Sequence, residues 1–272
     1  MPRMPVTGAE PPAGTRTEGL LRQVSEYDGK YPARSPSPQP PGRSAMKAPR
    51  IATGGHDRAV IAISELLAAG DAAFTITGQG LAPWPDPHAD GRPLDEEYSR
   101  LLDPAKWRII GARAEAWLVA VVDAAVATVE WHATVRWRVE PGPRISRTDR
   151  VIPFTEGALP LIVARSRLGD VHDAGVTLGL GDPATCMAWL PHCGCDACDS
   201  GSQSELDELD RHIVGVASGS FRRLTHGKRE ITVVDDQGWS ASGQFKRREV
   251  EAILADPREW EELAGPSWLT VR

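Results

Sequence analysis

The spacing of apolar residues changes sharply near residue 127, and this change limits the fold more than any other feature of the sequence. Asp103 is a suitable N-cap and Pro104 a suitable first residue for a helix. The residues that follow place apolar side chains three and four positions apart, at Trp107, Ile110, Ala114, Trp117, Leu118, Val121, Val122 and Ala125. From Val129 to Val139 apolar and polar residues alternate instead, which is typical of a strand with one face in water. The sequence therefore predicts a long amphipathic helix followed directly by a strand.

Shorter patterns of the same two kinds follow along the chain. Strands are predicted at Arg150–Phe154, Leu159–Arg165, Gly175–Leu180, Phe221–Leu224, Ile231–Val234 and Trp239–Ala241. Other helices are predicted at about Asp57–Ala69, from a Ser202–Glu205 capping box to a stop at Gly219, and at about Lys246–Ala255. Because strands and helices do not alternate regularly, we expect an α+β fold in which a mostly antiparallel sheet packs with about three helices.

The first 50 residues differ from the rest of the chain. They hold ten of the 23 prolines and show no apolar period, and Tyr31–Pro41 reads YPARSPSPQPP. Such a segment buries too little apolar surface to offset the entropy lost on ordering, so we predict that residues 1–50 are disordered. Residues 51–272 are predicted to form a single α+β domain. Met46 is an alternative translation start that would remove most of the proline-rich segment.

The overall composition is that of a soluble globular protein. Hydrophobic residues make up 41% and charged residues 25%, which excludes a collagen-like chain, a mucin-like stalk and a wholly disordered protein. The most apolar stretch, Ala116–Ala127, contains Asp123 and is shorter than the roughly 20 residues that cross a membrane. The first 30 residues lack the apolar centre of a signal peptide. We therefore expect a cytoplasmic protein with no membrane partner.

The net charge argues against a nucleic-acid partner. The chain carries 31 basic and 37 acidic side chains, a formal charge of −6, whereas a surface that holds nucleic acid by charge is basic. One basic group stands out: Arg222, Arg223, Lys228, Arg229, Lys246, Arg247 and Arg248. This group could bind phosphate, or it could pair with the acidic helix residues Asp207, Glu208 and Asp210 or remain solvated. The net charge favours the second interpretation, and the partner stays unknown.

All four cysteines lie within 13 residues, as Cys186-x6-Cys193-x-Cys195-x2-Cys198. In a reducing cytoplasm, clustered cysteines more often bind metal or do redox chemistry than form disulfides. Zinc takes thiolate and imidazole ligands, and Cys195-x2-Cys198 has the spacing of a zinc knuckle. The predicted structural zinc site uses Cys193, Cys195 and Cys198, completed by Cys186 or His192. The second knuckle that most zinc modules carry is missing.

Two other interpretations of the cysteines stay open. Cys195 and Cys198 precede a predicted helix, whose N-terminus lowers thiol pKa, so they could form a redox dithiol; no βαβ pattern of the thioredoxin type surrounds them. Alternatively, all four are ordinary packing thiols.

Outside the cysteines, the sequence contains no complete nucleotide-binding, metalloprotease or hydrolase motif, so no catalytic or cofactor-binding residue is assigned. The residues predict a non-enzymatic binding or regulatory module whose cysteine loop binds structural zinc. The alternative is a metal-dependent or thiol redox enzyme centred on Cys193–Cys198.

The segment Pro191–Ser202, with its pattern P-x-C-G-C-D-A-C-D-S-G-S, resembles a family of uncharacterised actinobacterial proteins that is described as a domain of unknown function. The stretches Leu101–Trp117 and Ala164–Ala184 are also similar to that family, and the resemblance extends over about Tyr98–Leu269. It implies a soluble actinobacterial protein and no particular activity. The resemblance implies that Cys193, Cys195 and Cys198 belong to the family pattern. Cys186 and His192 do not belong to that pattern. A distant residue such as His172, or water, would then complete a metal site.

Overall fold

The computed structural model describes residues 61–236 and 238–269. These residues form four α-helices and two antiparallel sheets, of five and four strands, which confirms the predicted α+β class. The segment predicted to be disordered, 1–50, and the start of the first predicted helix lie outside the described residues, and the domain boundary at residue 50 stays a prediction. None of the described helices is long and apolar enough to cross a membrane.

The larger sheet is an antiparallel meander of five strands in chain order. Its strands are β1 (Ala127–Glu130), β2 (Ile145–Pro153), β3 (Leu161–Leu168), β4 (Val171–Leu180) and β5 (Thr185–Leu190). The central strands β3 and β4 are buried on both faces over most of their length. Their buried residues include the apolar run Leu161–Ala164 and also the polar residues Arg165, Ser166 and Thr177.

Three helices, α1 (Ile63–Thr77), α2 (Arg108–Asp123) and α3 (Ser202–Ser218), pack together, and α2 also lies against β4. The apolar spacing that predicted α2 forms its buried face, and Trp117 is 1% exposed. Burying one such large side chain stabilises the fold by about 2–3 kcal/mol. The helix α3 ends as predicted at Gly219, which adopts the left-handed conformation.

The smaller sheet contains β6 (Arg222–His226), β7 (Arg229–Val233), β8 (Trp239–Ser242) and β9 (Glu261–Ala264), in the order β8-β7-β6-β9. The helix α4 (Arg247–Ala255) covers one side of it, and Val250 packs on Leu224 and Ile231. The predicted strands β6, β7 and β8 and the predicted helix α4 are confirmed. The division into two sheets and the strands β5 and β9 were not predicted.

The predicted start of α2 at Asp103 is wrong. The helix begins at Arg108, and its N-cap is Trp107. Asp103 still accepts backbone hydrogen bonds, from the N–H groups of Ala105 at 3.1 Å and Lys106 at 3.3 Å. Asp103 therefore closes the turn that leads into the helix, which is why the sequence Asp103–Pro104 resembles the start of a helix.

The predicted strand Val129–Val139 is also wrong beyond Glu130. At His132 the backbone takes a φ of 56°, and the N–H of His132 donates to the buried carboxylate of Asp149 at 3.0 Å. The following segment crosses the sheet, where Trp137 lies over Gly179. A β-carbon at Gly179 would come within 2.5 Å of the Trp137 ring. A strand needs a neighbouring strand to pair its backbone N–H and C=O groups, and an alternating sequence does not show whether such a neighbour is present. Here β2 pairs only with Ala127–Glu130.

The Ser202–Glu205 capping box does not form. The N-cap of α3 is Gly201, with a φ of 83°, and no side chain caps this helix. The hydroxyl of Ser202 instead contacts the backbone of Trp84, which donates its N–H to Ser202 Oγ at 3.0 Å. A distant segment thus replaces the local cap that the sequence predicted.

Four of the seven basic residues between Arg222 and Arg248 form ion pairs within their own half of the chain. The ion pairs are Arg222–Glu262, Arg223–Glu230, Arg229–Glu249 and Arg247–Glu251. The acidic residues of α3 that were expected to pair with them bind elsewhere: Asp210, for example, accepts hydrogen bonds from Arg113 at 2.6 Å and Trp117 at 2.6 Å. Pairing of these basic residues is therefore observed, but the predicted partners were wrong.

Candidate metal centre

Three of the four cysteines meet in the loop between β5 and α3. A short 3-10 turn, Asp196–Cys198, shapes this loop just before the helix begins. The Sγ atoms of Cys193, Cys195 and Cys198 all lie within 4.8 Å of one another, and those of Cys193 and Cys195 are 3.1 Å apart. Cys193 and Cys195 are half-buried, whereas Cys198 is exposed. We call this group the three-thiol site.

The sulfur spacing fits a thiolate-bound zinc ion. Zn–S bonds are about 2.3 Å long, so tetrahedral geometry places the ligand sulfurs about 3.8 Å apart. The spacings in the three-thiol site, from 3.1 Å to at most 4.8 Å, span this value. Thiolates also suit other soft ions, including Cu(I). The site can therefore hold a thiophilic metal with small movements of its side chains.

Burial makes two thiols of this site, those of Cys193 and Cys198, weak acids when no metal is bound. Burial raises the pKa of Cys193, and burial together with the neighbouring thiols raises the pKa of Cys198 to about 12. At neutral pH these thiols are therefore protonated. Because zinc binds the thiolate form, metal binding must release protons, and the affinity must increase with pH.

Two of the five predicted ligands lie outside the three-thiol site. Cys186 is in β5, where its carbonyl oxygen accepts a hydrogen bond from Arg223. The ring of His192 is exposed and stacks on Trp189, with ring centroids 5.4 Å apart. His172, the suggested distant ligand, lies exposed near the start of β4. Among the described residues, the converging metal-ligating group consists of Cys193, Cys195 and Cys198.

A distant part of the chain contacts this loop at Asp196, between the second and third cysteines. We call residues Trp84–Lys106 the clamp segment. The Asp196 carboxylate accepts hydrogen bonds from Arg100 Nε at 2.8 Å and from the Leu102 N–H at 3.1 Å. The Asp196 N–H donates to the Arg100 carbonyl at 2.8 Å, and His88 Nε2 lies 3.1 Å from the Asp196 carbonyl. Both backbone polar groups and the side chain of Asp196 are thus bound.

A second contact between the clamp segment and the loop is at Asp199, one residue beyond the last cysteine. The Asp199 residue is 3% exposed, and its carboxylate accepts hydrogen bonds from Trp84 Nε1 at 2.8 Å and the Gly201 N–H at 2.9 Å. It also forms an ion pair with Lys106. Burial opposes ionisation of Asp199, but the hydrogen bonds from Lys106 and Trp84 outweigh it, and the pKa lies below its ordinary value.

The pKa of one carboxyl group near the loop is strongly raised. Glu205 lies in the first turn of α3 and is partly buried. Burial, together with the negative charges of Asp199 and Glu208, raises its pKa to about 7. A carboxyl group in this state is partly protonated at neutral pH.

Sequence reasoning found the three cysteines but missed the residues that hold them. Trp84, Arg100 and Lys106 contact the loop from 93 to 118 positions away along the chain. No local pattern marks such contacts. The clamp segment carried only one visible signal, a tryptophan within a loop rich in proline.

Comparison with known proteins places the chain in a family. No curated protein and no solved structure matches it. A family model described as "Family of unknown function (DUF6226)" matches residues 70–270, which include the three-thiol site and the whole clamp segment. Because that match covers most of the 272 residues, the chain belongs to DUF6226, a family of unknown function.

Proposed function

We propose that this protein is a non-enzymatic binding or regulatory module that holds one zinc ion through Cys193, Cys195 and Cys198. The observation that carries the proposal is the convergence of three thiols within 4.8 Å of one another. Three thiolates are a sufficient anchor for zinc, and a further ligand or water completes tetrahedral coordination. Cys186 and His192, which were considered as the fourth ligand, lie apart from this group.

A thiol redox enzyme centred on the same loop is the second candidate. The specific observation in its favour is the 3.1 Å spacing of the Cys193 and Cys195 sulfurs. A redox-active thiol, however, normally has a lowered pKa, because the thiolate is the nucleophile. The raised pKa values of Cys193 and Cys198 therefore argue against the redox candidate.

The proposal includes the setting in which the site works. We infer that the protein comes from an actinobacterium, as the resemblance of Pro191–Ser202 to that family implies, and that it works in the cytoplasm. A reducing compartment would keep the three thiols available to metal.

Metal analysis of tag-free protein tests the proposal. We expect one zinc per chain in the wild-type protein and none in Cys195→Ser. Cys186→Ser is the matched control, because it removes a thiol of the same cluster that lies outside the three-thiol site; it should retain one zinc per chain. Loss of zinc from both variants would show that the ligands are wrongly assigned, and a wild-type protein that takes up no zinc would refute the proposal.

Thermal unfolding separates the two candidates. A ligand at 100 times its Kd stabilises the native state by about 2.7 kcal/mol, which for a domain of this size raises Tm by about 5–10 °C. A strong chelator should therefore lower the Tm of the wild type and of Cys186→Ser, and leave that of Cys195→Ser unchanged. A redox site predicts a different result: the Tm would ignore the chelator and shift between oxidising and reducing buffers.

A further inference from the structure

We infer that the clamp segment holds the cysteine loop in its metal-binding shape before metal arrives, with Asp196 and Asp199 as the positioning residues. The inference rests on the proposed zinc site for its function, and on hydrogen bonds of the described residues for its geometry. It predicts that zinc enters and leaves the loop without unfolding it.

The first support is the number of bonds at Asp196. This residue lies inside the Cys195-x2-Cys198 turn, so any movement of its backbone changes the spacing of the flanking thiols. Four of its polar contacts come from the clamp segment: two from Arg100, one from Leu102 and one from His88.

The second support is the contact at Asp199 and the start of α3. The buried Asp199 carboxylate joins Trp84 and Lys106 to the Gly201 N–H at the helix N-cap. Gly201 itself lies so close to the clamp segment that a β-carbon there would come within 2.7 Å of the Asp86 nitrogen. The loop is thus fixed immediately after Cys198 as well as between Cys195 and Cys198.

The third support is charge pairing. Arg100 and Lys106 of the clamp segment are each held against a loop carboxylate, at Asp196 and Asp199 respectively. Because both carboxylates are paired, neither adds an uncompensated negative charge beside the thiolates. Lys106 Nζ also lies 5.2 Å from the centre of the Trp84 ring, which holds it in place.

Preorganisation of this kind changes what the metal does. In small zinc fingers the ligands converge only when metal binds, so the binding free energy is also the folding free energy. Here the loop loses its conformational entropy when the clamp segment docks. The metal then binds a loop that is already ordered, so a smaller loss of entropy opposes metal binding. The site therefore behaves as an exchangeable metal site in a domain that is already folded.

Hydrogen exchange in the zinc-free protein tests the geometric part. The Leu102 N–H donates to Asp196, and the Gly201 N–H donates to Asp199. In chelator-treated wild-type protein both amides should exchange at least about tenfold more slowly than in the unfolded chain. Rapid exchange of both amides that slows only when zinc is added would overturn the inference, because the metal would then be shaping the loop.

Zinc affinity of two clamp variants tests the link to the metal. Asp196→Ala should weaken zinc binding by about 10–100-fold in competition with a chromogenic chelator, as removal of residues that orient metal ligands does elsewhere. Asp199→Asn, which keeps the shape of the buried side chain, should act in the same direction. Asp90→Asn is the matched control, because Asp90 is an exposed carboxylate residue of the clamp segment away from the contacts with Asp196 and Asp199; it should change the affinity less than about twofold.

The outcomes are distinguishable. If Asp196→Ala and Asp199→Asn bind zinc as tightly as the wild type, the positioning role is refuted while the zinc site stands. If the zinc-free wild type protects both amides but takes up no zinc, the proposed function fails and the clamp remains as a structural feature.

Discussion

The two sheets of this protein are stabilised in different ways. The five-stranded sheet and helices α1–α3 share one extensive buried apolar cluster, to which Trp117, Leu178 and Leu209 belong. The four-stranded sheet has a separate cluster whose fully buried members are Leu224, Ile231 and Val250. Partly buried side chains, among them Phe245 and Trp260, surround this smaller cluster, and the Arg229–Glu249 ion pair joins β7 to α4.

This difference shows where the stability of the chain resides. Apolar burial contributes about 25 cal/mol per Å², so the larger cluster dominates. Exposed ion pairs such as Arg222–Glu262 contribute only about 0–1 kcal/mol each. We therefore expect the four-stranded sheet to open at a lower free energy than the five-stranded sheet, even when both unfold together on heating.

Matched leucine substitutions, one in each cluster, should have the largest effect on the free energy of unfolding. Leu178 and Leu224 are both 0% exposed, one in each cluster. Leu178→Ala should lower the free energy of unfolding by about 4 kcal/mol, because its rigid surroundings leave a cavity. Leu224→Ala should cost about 2–3 kcal/mol, because the thin cluster around it can collapse. Urea denaturation measures both values, and a larger loss for Leu224→Ala would reverse our assignment of the stable half.

A smaller effect concerns the pH dependence of stability, which Glu205 of helix α3 influences. Glu205 has a pKa of about 7 in the folded protein, above its ordinary value of 4.5. Between these two values the unfolded chain releases its proton while the folded protein keeps it, so the stabilising contribution of Glu205 is complete below pH 4.5 and is lost as the pH rises to 7. Glu205→Gln removes this loss and should be more stable than the wild type by about 2 kcal/mol at pH 8.

The measurement is the difference in unfolding free energy between Glu205→Gln and the wild type at several pH values. It should be close to zero at pH 4.5 and grow up to pH 7. Asp207→Asn, an exposed carboxylate on the same helix, is the control and should show no such trend. A pH-independent difference for Glu205→Gln would contradict the raised pKa.

The smallest effect concerns the surface of the four-stranded sheet. The Arg229 guanidinium lies 4.1 Å from the centre of the Phe245 ring and 5.5 Å from that of Trp260. A cation above a partly exposed aromatic ring contributes about 0.5–1 kcal/mol, so Arg229→Gln should lower stability by about that amount, together with the small effect of losing the Arg229–Glu249 ion pair. Arg247→Gln is the control for the loss of an exposed ion pair, because it removes the Arg247–Glu251 pair of α4, and it should lower stability by less than Arg229→Gln. Equal losses in the two variants would indicate general charge effects instead of ring stacking.

The elements that could be predicted from the sequence are those defined by local spacing. The buried face of α2, the stop of α3 at Gly219, the three strands β6 to β8 and the α+β class all follow from periodicity or from single residues. The long strand after Val129 could not be predicted correctly, because β2 pairs only as far as Glu130 and alternation does not reveal the length of a partner strand. The β9 strand was missed because EELA has no alternating pattern.

The candidate site likewise contains residues that could be predicted from the sequence and residues that could not. Cys193, Cys195 and Cys198 are close in sequence, so their convergence could be foreseen from spacing. Cys186 is equally close in sequence, but pairing of β5 with β4 fixes it in the sheet. The clamp residues are far away in sequence, and only the packing of the whole chain brings Trp84 and Arg100 to the loop.

The separation between the clamp segment and the cysteine loop also sets an order of events during synthesis. Trp84 precedes its partner Ser202 by 118 positions. At elongation rates of about 5–20 residues per second, the ribosome needs roughly 6–24 seconds to add that stretch. During this interval the clamp segment has been made but its partners have not. The cysteine loop, in contrast, emerges after its clamp and can dock as soon as it leaves the ribosome.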